Sequence, residues 1–119
     1  MGQPTILRIA AVCLLAIFSL AATEDIRGAW RFVMETPGGT RIQNVEFTLE
    51  GESVGGTWGR DKVKGTFREG QLRLEFPIYS DEAGATATMI VEGKLEDGKL
   101  TGKWQWSQYG GTFVASRPE

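Results

Sequence analysis

The sequence contains no histidine, and its single cysteine, Cys13, lies in an apolar N-terminal run. Without imidazole groups the chain cannot build a Ser-His or Cys-His nucleophile, and haem or zinc sites with His or Cys ligands are also excluded. One cysteine cannot form an intramolecular disulfide. We therefore expect no metal and no cofactor, and a domain whose stability depends on packing alone.

The N-terminal stretch has little charge and has the features of a secretion signal. Arg8 precedes an apolar run, residues 9–20, and Ser19-Leu20-Ala21 supplies the small residues that signal peptidase requires. The run is shorter than the ~20 residues that a membrane-spanning helix needs, and polar sequence follows at once. We expect residues 1–22 to be a signal peptide cleaved after Ala21 or Ala22, and the protein to be secreted, periplasmic or extracellular. The alternative is an uncleaved N-terminal anchor.

The rest of the chain, residues 23–119, is long enough for one domain with a modest core. Removal of 22 residues from 119 leaves 97, and the loss of Arg8 leaves 12 basic residues against 15 acidic ones. A net charge of about −3 argues against nucleic acid or an anionic membrane as partner. We expect neither after signal cleavage.

Glycine, by contrast, is abundant, with 16 residues, and six of these are central to a recurring five-residue phrase. The phrase reads apolar, any residue, Gly, small or Lys, apolar. Side chains two apart on a strand share a face, so each copy places its two apolar residues and its glycine on one face. The copies are residues 26–30, 54–58, 63–67, 91–95, 100–104 and 109–113.

These phrases and the alternating segments between them predict eight short strands. Their ranges are 26–34, 41–49, 54–58, 63–67, 72–78, 85–95, 100–106 and 109–117. No segment after the signal peptide shows a sustained helical period, so we expect no substantial helix. The prediction is an all-β domain, a single eight-stranded antiparallel up-and-down barrel that leaves no free edge.

The connections differ between the two ends of this predicted barrel. Acid-glycine pairs, which are typical of tight hairpin turns, fall at one end, at Glu50-Gly51, Glu69-Gly70 and Asp97-Gly98. Longer loops, residues 35–40, 59–62 and 79–84, fall at the other end. We therefore expect one closed end and one loop-rich, open end.

Gly28-Ala29-Trp30 at the start of the first strand resembles the opening motif of the lipocalins and the wider calycin group. The resemblance implies a small secreted barrel in which an arginine near the end of the barrel stacks across that tryptophan. Arg117 is placed for this role, because pairing of the last strand with the first brings it close to Trp30. The sequence departs from the lipocalin pattern in lacking a disulfide and a C-terminal helix. A likeness to avidins is confined to short phrases.

The candidate ligand-binding residues are those that the alternation turns inward at the open end, with one loop neighbour. They are Met34, Arg41, Gln43, Trp58, Ile78, Tyr79, Trp106 and Tyr109. An apolar barrel of this size can hold one small ligand. Arg41 could receive a carboxylate head group while an apolar tail enters the barrel. We therefore predict a non-enzymatic protein that binds a hydrophobic or amphipathic small molecule at this end.

Two alternatives remain open at this point. The aromatic side chains could fill the barrel completely, and Arg41 could point into water. The protein would then act as a protein-interaction module or protease inhibitor through exposed apolar residues near the open end. The acidic pairs Asp81-Glu82 and Glu96-Asp97 are explained as turn residues. Since no residues form a recognisable reaction centre, we predict that the protein is not an enzyme.

Overall fold

The computed structural model of the chain describes residues 25–119, so the predicted signal peptide lies outside the described part. Nine β-strands and no helix occur in this range. The strands are β1 Gly28–Thr36, β2 Gly39–Glu50, β3 Ser53–Trp58, β4 Asp61–Lys62, β5 Gly65–Arg68, β6 Gln71–Ser80, β7 Ala85–Glu96, β8 Lys99–Trp106 and β9 Tyr109–Ser116. No helix that could cross a membrane is found among these residues.

Eight of the strands in residues 25–119 form a closed ring of antiparallel neighbours. Its order is β1-β2-β3-β5-β6-β7-β8-β9, and β9 returns to pair with β1 between Arg31↔Ser116 and Met34↔Phe113. The short β4 pairs with the end of β3. The predicted all-β, eight-stranded antiparallel barrel is therefore confirmed, with one additional strand.

The connections at the open end are shorter than the sequence predicted. Asp61 and Lys62 pair with Trp58 and Thr57, so they belong to a strand and the turn is reduced to residues 59–60. The first loop is reduced to residues 37–38 because the Thr36 side chain satisfies the turn. Its hydroxyl donates to the Gly39 carbonyl at 2.7 Å and accepts from the Gly38 amide at 3.1 Å. The longest connection at this end, residues 81–84, joins β6 to β7.

The connections at the opposite end are the tight hairpin turns that the acid-glycine pairs predicted. Glu69 and Gly70 have φ values of 50° and 79°, and Asp97 and Gly98 have 52° and 75°. Positive φ at both central residues is typical of the type I′ turn, whose twist matches that of the flanking strands. The third turn consists of residues 51–52, one residue later than predicted.

The glycine-centred phrases line the barrel wall with alternating small and large positions. Phe47 lies between Gly28 on β1 and Gly56 on β3 in the strand register. On the other side of the barrel, Gly102 lies between Gly93 and Phe113. A Cβ atom on Gly93 would be 2.8 Å from the Phe113 ring. The glycines thus leave room for aromatic rings from neighbouring strands.

Aromatic rings from four strands meet inside the barrel. Phe113 on β9 stacks on Phe32 of β1 with ring centres 4.9 Å apart, and Phe32 lies 5.0 Å from Trp58 on β3. Trp58 in turn lies 5.7 Å from Phe76 on β6. Because β9 and β6 lie on different sides of the ring, this chain of contacts crosses the interior. Side chains therefore fill the barrel at this level.

Candidate functional site

Three buried side chains form a floor beneath the open end: Met34, Trp58 and Trp106. The Trp106 Nε1–H donates to the Ile78 carbonyl at 3.1 Å, which requires its indole to pass across β7 to β6. Trp104 lies two residues earlier on β8. Its indole passes across β9, and its Nε1–H donates to the Glu35 carbonyl at 3.0 Å. Buried indole N–H groups need such acceptors, and these two bonds hold both rings in place.

The remaining apolar candidates lie above or outside this floor. Tyr109 stacks on Trp106 with ring centres 6.4 Å apart and an interplanar angle of 15°, and 43% of its surface is exposed. Ile78 is half-buried at the edge of the floor. Tyr79, its neighbour, points to the outside of the wall and is 58% exposed. Of the two tyrosines, therefore, Tyr109 lies at the mouth and Tyr79 beside it.

The polar candidates have different surroundings. Gln43 is half-buried, and its Nε2 donates to the Asn44 carbonyl at 3.2 Å. The same carbonyl accepts a hydrogen bond from the Gly59 amide at 3.1 Å, so the Gln43 side chain helps to hold the β3–β4 turn in place. Arg41, by contrast, extends away from its own strand and forms an ion pair between its Nη2 and Glu82 Oε1.

The Arg41–Glu82 ion pair spans the mouth of the barrel. Glu82 lies in the turn between β6 and β7, and β7 is diametrically opposite β2 in the ring of eight strands formed by residues 25–119. Both side chains remain largely exposed, 63% for Arg41 and 78% for Glu82. A carboxylate is therefore held over the apolar floor by an arginine from the opposite wall. An exposed pair of this kind contributes only about 0.2–1 kcal/mol.

Glu82 is the residue of this site that sequence reasoning missed. The sequence identifies Glu82, with Asp81, as a turn residue, and this describes its backbone correctly. Its side-chain role depends on a partner 41 residues away in sequence. The pairing could have been inferred only from the predicted order of strands around the barrel, which places the β6–β7 turn opposite the strand that carries Arg41.

At the closed end, the predicted contact between Arg117 and Trp30 is present. The guanidinium carbon lies 4.1 Å from the centre of the Trp30 ring. Arg117 Nη1 donates to the carbonyls of Arg27 and Ala29, at 2.7 and 3.2 Å, and Nη2 donates to that of Asp25 at 3.1 Å. A Cβ atom on Gly28, where φ is 100°, would be 3.4 Å from the same guanidinium. The three motif residues thus form one structural unit that closes this end.

The outer wall of β7 and β8 carries a shallow depression bordered by charged side chains, among them Glu92, Lys94 and Lys103. A hydrogen bond from Lys94 to Glu96, together with the charge of that carboxylate, raises the pKa of Lys94 above its usual value. Among residues 25–119, no three His, Cys, Asp or Glu side chains are grouped so that they could hold a metal ion. The predicted ligand-binding residues lie at the open end and not in this depression.

In comparisons with known proteins, the chain matches neither a protein-family model nor a curated protein sequence. The class of the protein is consequently defined by its fold. A closed eight-stranded antiparallel barrel in the part of the chain described here is consistent with a calycin-like or lipocalin-like fold.

Proposed function

We propose that the protein is a secreted, non-enzymatic, calycin-like barrel that binds an amphipathic small molecule with an acidic head group at its open end. The observation that carries this proposal is the Arg41–Glu82 ion pair. Arg41 is already engaged with a carboxylate above an apolar floor, and a ligand's acidic group could take the same position.

The energetic cost of such an exchange is small. Because an exposed ion pair contributes only about 0.2–1 kcal/mol, displacement of the Glu82 carboxylate is a small penalty. The planar guanidinium of Arg41 can bind a ligand carboxylate through two parallel hydrogen bonds. Arg41 therefore provides the positive charge that recognises an acidic head group. The competing carboxylate, that of Glu82, lies on a short turn.

The apolar part of the ligand lies on the floor rather than deep in the barrel. Tyr109 and Trp106 provide stacked rings at the mouth, and Met34 on β1 is a further buried apolar side chain at the same end. Trp58 in the floor also belongs to the chain of ring contacts from Phe113 to Phe76, which occupies the interior. This differs from the sequence-based expectation that a tail would enter the barrel.

A titration with decanoate, followed by tryptophan fluorescence and calorimetry, tests the proposal. Arg41→Gln should abolish binding, because it removes the charge that receives the head group. Glu82→Gln should tighten binding by up to about fivefold, because it removes the internal competitor. Arg60→Gln, an exposed arginine in a turn at the same end, is the matched control and should bind as the wild type does.

Decanol at the same concentrations should bind far more weakly, since it lacks the carboxylate. Equal binding of decanoate and decanol, or a loss of affinity in both Arg41→Gln and Glu82→Gln, would contradict the proposed head-group site.

A protein-interaction module is the second candidate, and the packed interior together with the exposed Tyr79 and Tyr109 favours it. It predicts a partner protein that is recovered with the wild-type chain and lost with Tyr79→Ala. It also predicts no decanoate binding in the titration above. The two candidates therefore differ in both measurements.

A further inference from the structure

Three adjacent strands carry a row of apolar side chains on the outer wall of the barrel. Val33 on β1 lies between Ile42 on β2 and Val114 on β9 in the strand register. Ile42 is 55% exposed and Val114 is 48% exposed, while Val33 between them is half-buried. We call Ile42, Val33 and Val114 the apolar row. Its residues face away from the core, so they contribute nothing to packing inside the barrel.

Opposite charges flank the centre of the apolar row along β1. Arg31 and Glu35 lie two residues before and after Val33, so all three side chains share the outer face. Neither charge forms an ion pair within residues 25–119. Arg31 is beside the neutral Asn44 and Ser116. Glu35 accepts a hydrogen bond from the Thr40 hydroxyl at 3.0 Å.

We propose that this face binds a second copy of the chain through a two-fold axis that runs along the apolar row. Such an axis reverses the direction of β1 in the other copy while keeping the row in register with itself. Val33 then meets Val33, and Arg31 of each copy faces Glu35 of the other. The charge pattern is thus self-complementary, as an isologous dimer requires.

The charges also select this arrangement over the alternative two-fold packing. An axis along the strand direction would keep the strands parallel and place Arg31 against Arg31 and Glu35 against Glu35. Like charges facing each other across an interface suppress that mode. The flanking outward residues on β2 and β9 are neutral in both cases: Thr40, Asn44, Thr112 and Ser116.

The curvature of the barrel limits the contact to about three strands. β8, with the outward Lys99 and Lys103, is two strands away from β1 and so is turned by about 90° from its face. These lysines therefore do not oppose each other in the dimer. A contact this narrow falls at the small end of protein interfaces. The dimer is consequently weak and forms in a concentration-dependent manner.

Sedimentation equilibrium of the wild type and of charge-reversal variants tests the proposal. The protein is produced from the full-length chain in a secreting bacterial host. Over about 10 µM to about 1 mM, the mean mass of the wild type should rise toward that of a dimer. Arg31→Glu and Glu35→Arg should each remain monomeric, because like charges then face each other. The double variant should dimerise again, and so should an equimolar mixture of the two single variants.

Lys64→Glu reverses a charge on a different part of the wall and is the matched control, which should dimerise as the wild type does. Circular dichroism checks that every variant is folded. A wild type that stays monomeric at the highest concentration would overturn the proposal. The proposal would also be overturned if both single variants still formed dimers. It would equally be overturned if the double variant and the equimolar mixture of single variants stayed monomeric.

Discussion

The guanidinium of Arg117 covers the face of the Trp30 ring and, in the same position, donates hydrogen bonds to the carbonyls of Arg27, Ala29 and Asp25. One side chain near the C-terminal end of the described chain thereby holds the segment that precedes β1. Trp30 itself is buried, and its Nε1–H donates to the Ile26 carbonyl at 2.8 Å. The closed end of the barrel therefore depends on a contact between residues at opposite ends of the domain.

Arg117→Ala should lower the free energy of unfolding by about 1–2 kcal/mol, since it removes the cation–π contact and the hydrogen bonds to three carbonyls. Arg117→Lys should recover part of this, because an ammonium keeps the charge but cannot reproduce the planar fork. Urea denaturation followed by tryptophan fluorescence measures both. Arg68→Ala, which breaks only an exposed ion pair with Glu52, should change stability by less than about 0.5 kcal/mol. Equal losses for Arg117→Ala and Arg68→Ala would contradict the account of the closed end.

Gly102→Ala should destabilise the barrel by about 2–4 kcal/mol, because its Cβ atom would lie 1.9 Å from the Glu92 carbonyl oxygen. Backbone of the neighbouring strand would have to move to relieve that contact. Gly38→Ala is the matched control: its Cβ atom would lie 3.8 Å from the Thr36 hydroxyl, and φ is not positive there. Thermal unfolding of the two variants measures the difference. A Gly102→Ala protein with wild-type stability would show that the wall is not packed as described.

Phe32→Ala should lower the free energy of unfolding by about 3–5 kcal/mol, because Phe32 contacts Phe47, Trp58 and Phe113 in the filled interior. Tyr79→Ala removes an aromatic ring of similar size from an exposed position. Its effect should be below about 1 kcal/mol. Chemical denaturation distinguishes the two, and a similarly small loss for Phe32→Ala would mean that the interior is not filled at this level.

The sequence predicted the fold well because its strongest signals are local. Alternation of apolar residues and the repeated glycine phrase depend only on near neighbours, and they identified all eight strands of the ring in the described range. The additional β4 was not foreseen, because Asp61 and Lys62 are polar and follow Gly59-Arg60. All three of the longer loops are predicted too long for a related reason: turn composition does not show how far strand pairing continues.

The site was less accessible to sequence reasoning. Alternation of side chains along the strands identified the residues at the open end. It did not show that the Trp106 indole would reach the Ile78 carbonyl and cover the interior. It also gave no information on Glu82, whose side chain meets Arg41 only because two opposite walls approach at the mouth. Such contacts depend on closure of the sheet and on side-chain conformations, and neither is encoded in a local pattern.

An NMR titration with decanoate is the sharpest test of ligand binding at the mouth, because it locates the ligand on the barrel. Binding at the mouth predicts shift changes concentrated there, in the Arg41 side chain, Glu82, Trp106 and Tyr109. Core residues of the opposite half, such as Leu72 and Val91, should be unaffected. Shift changes centred on those core residues, or none at the mouth up to millimolar ligand, would contradict it.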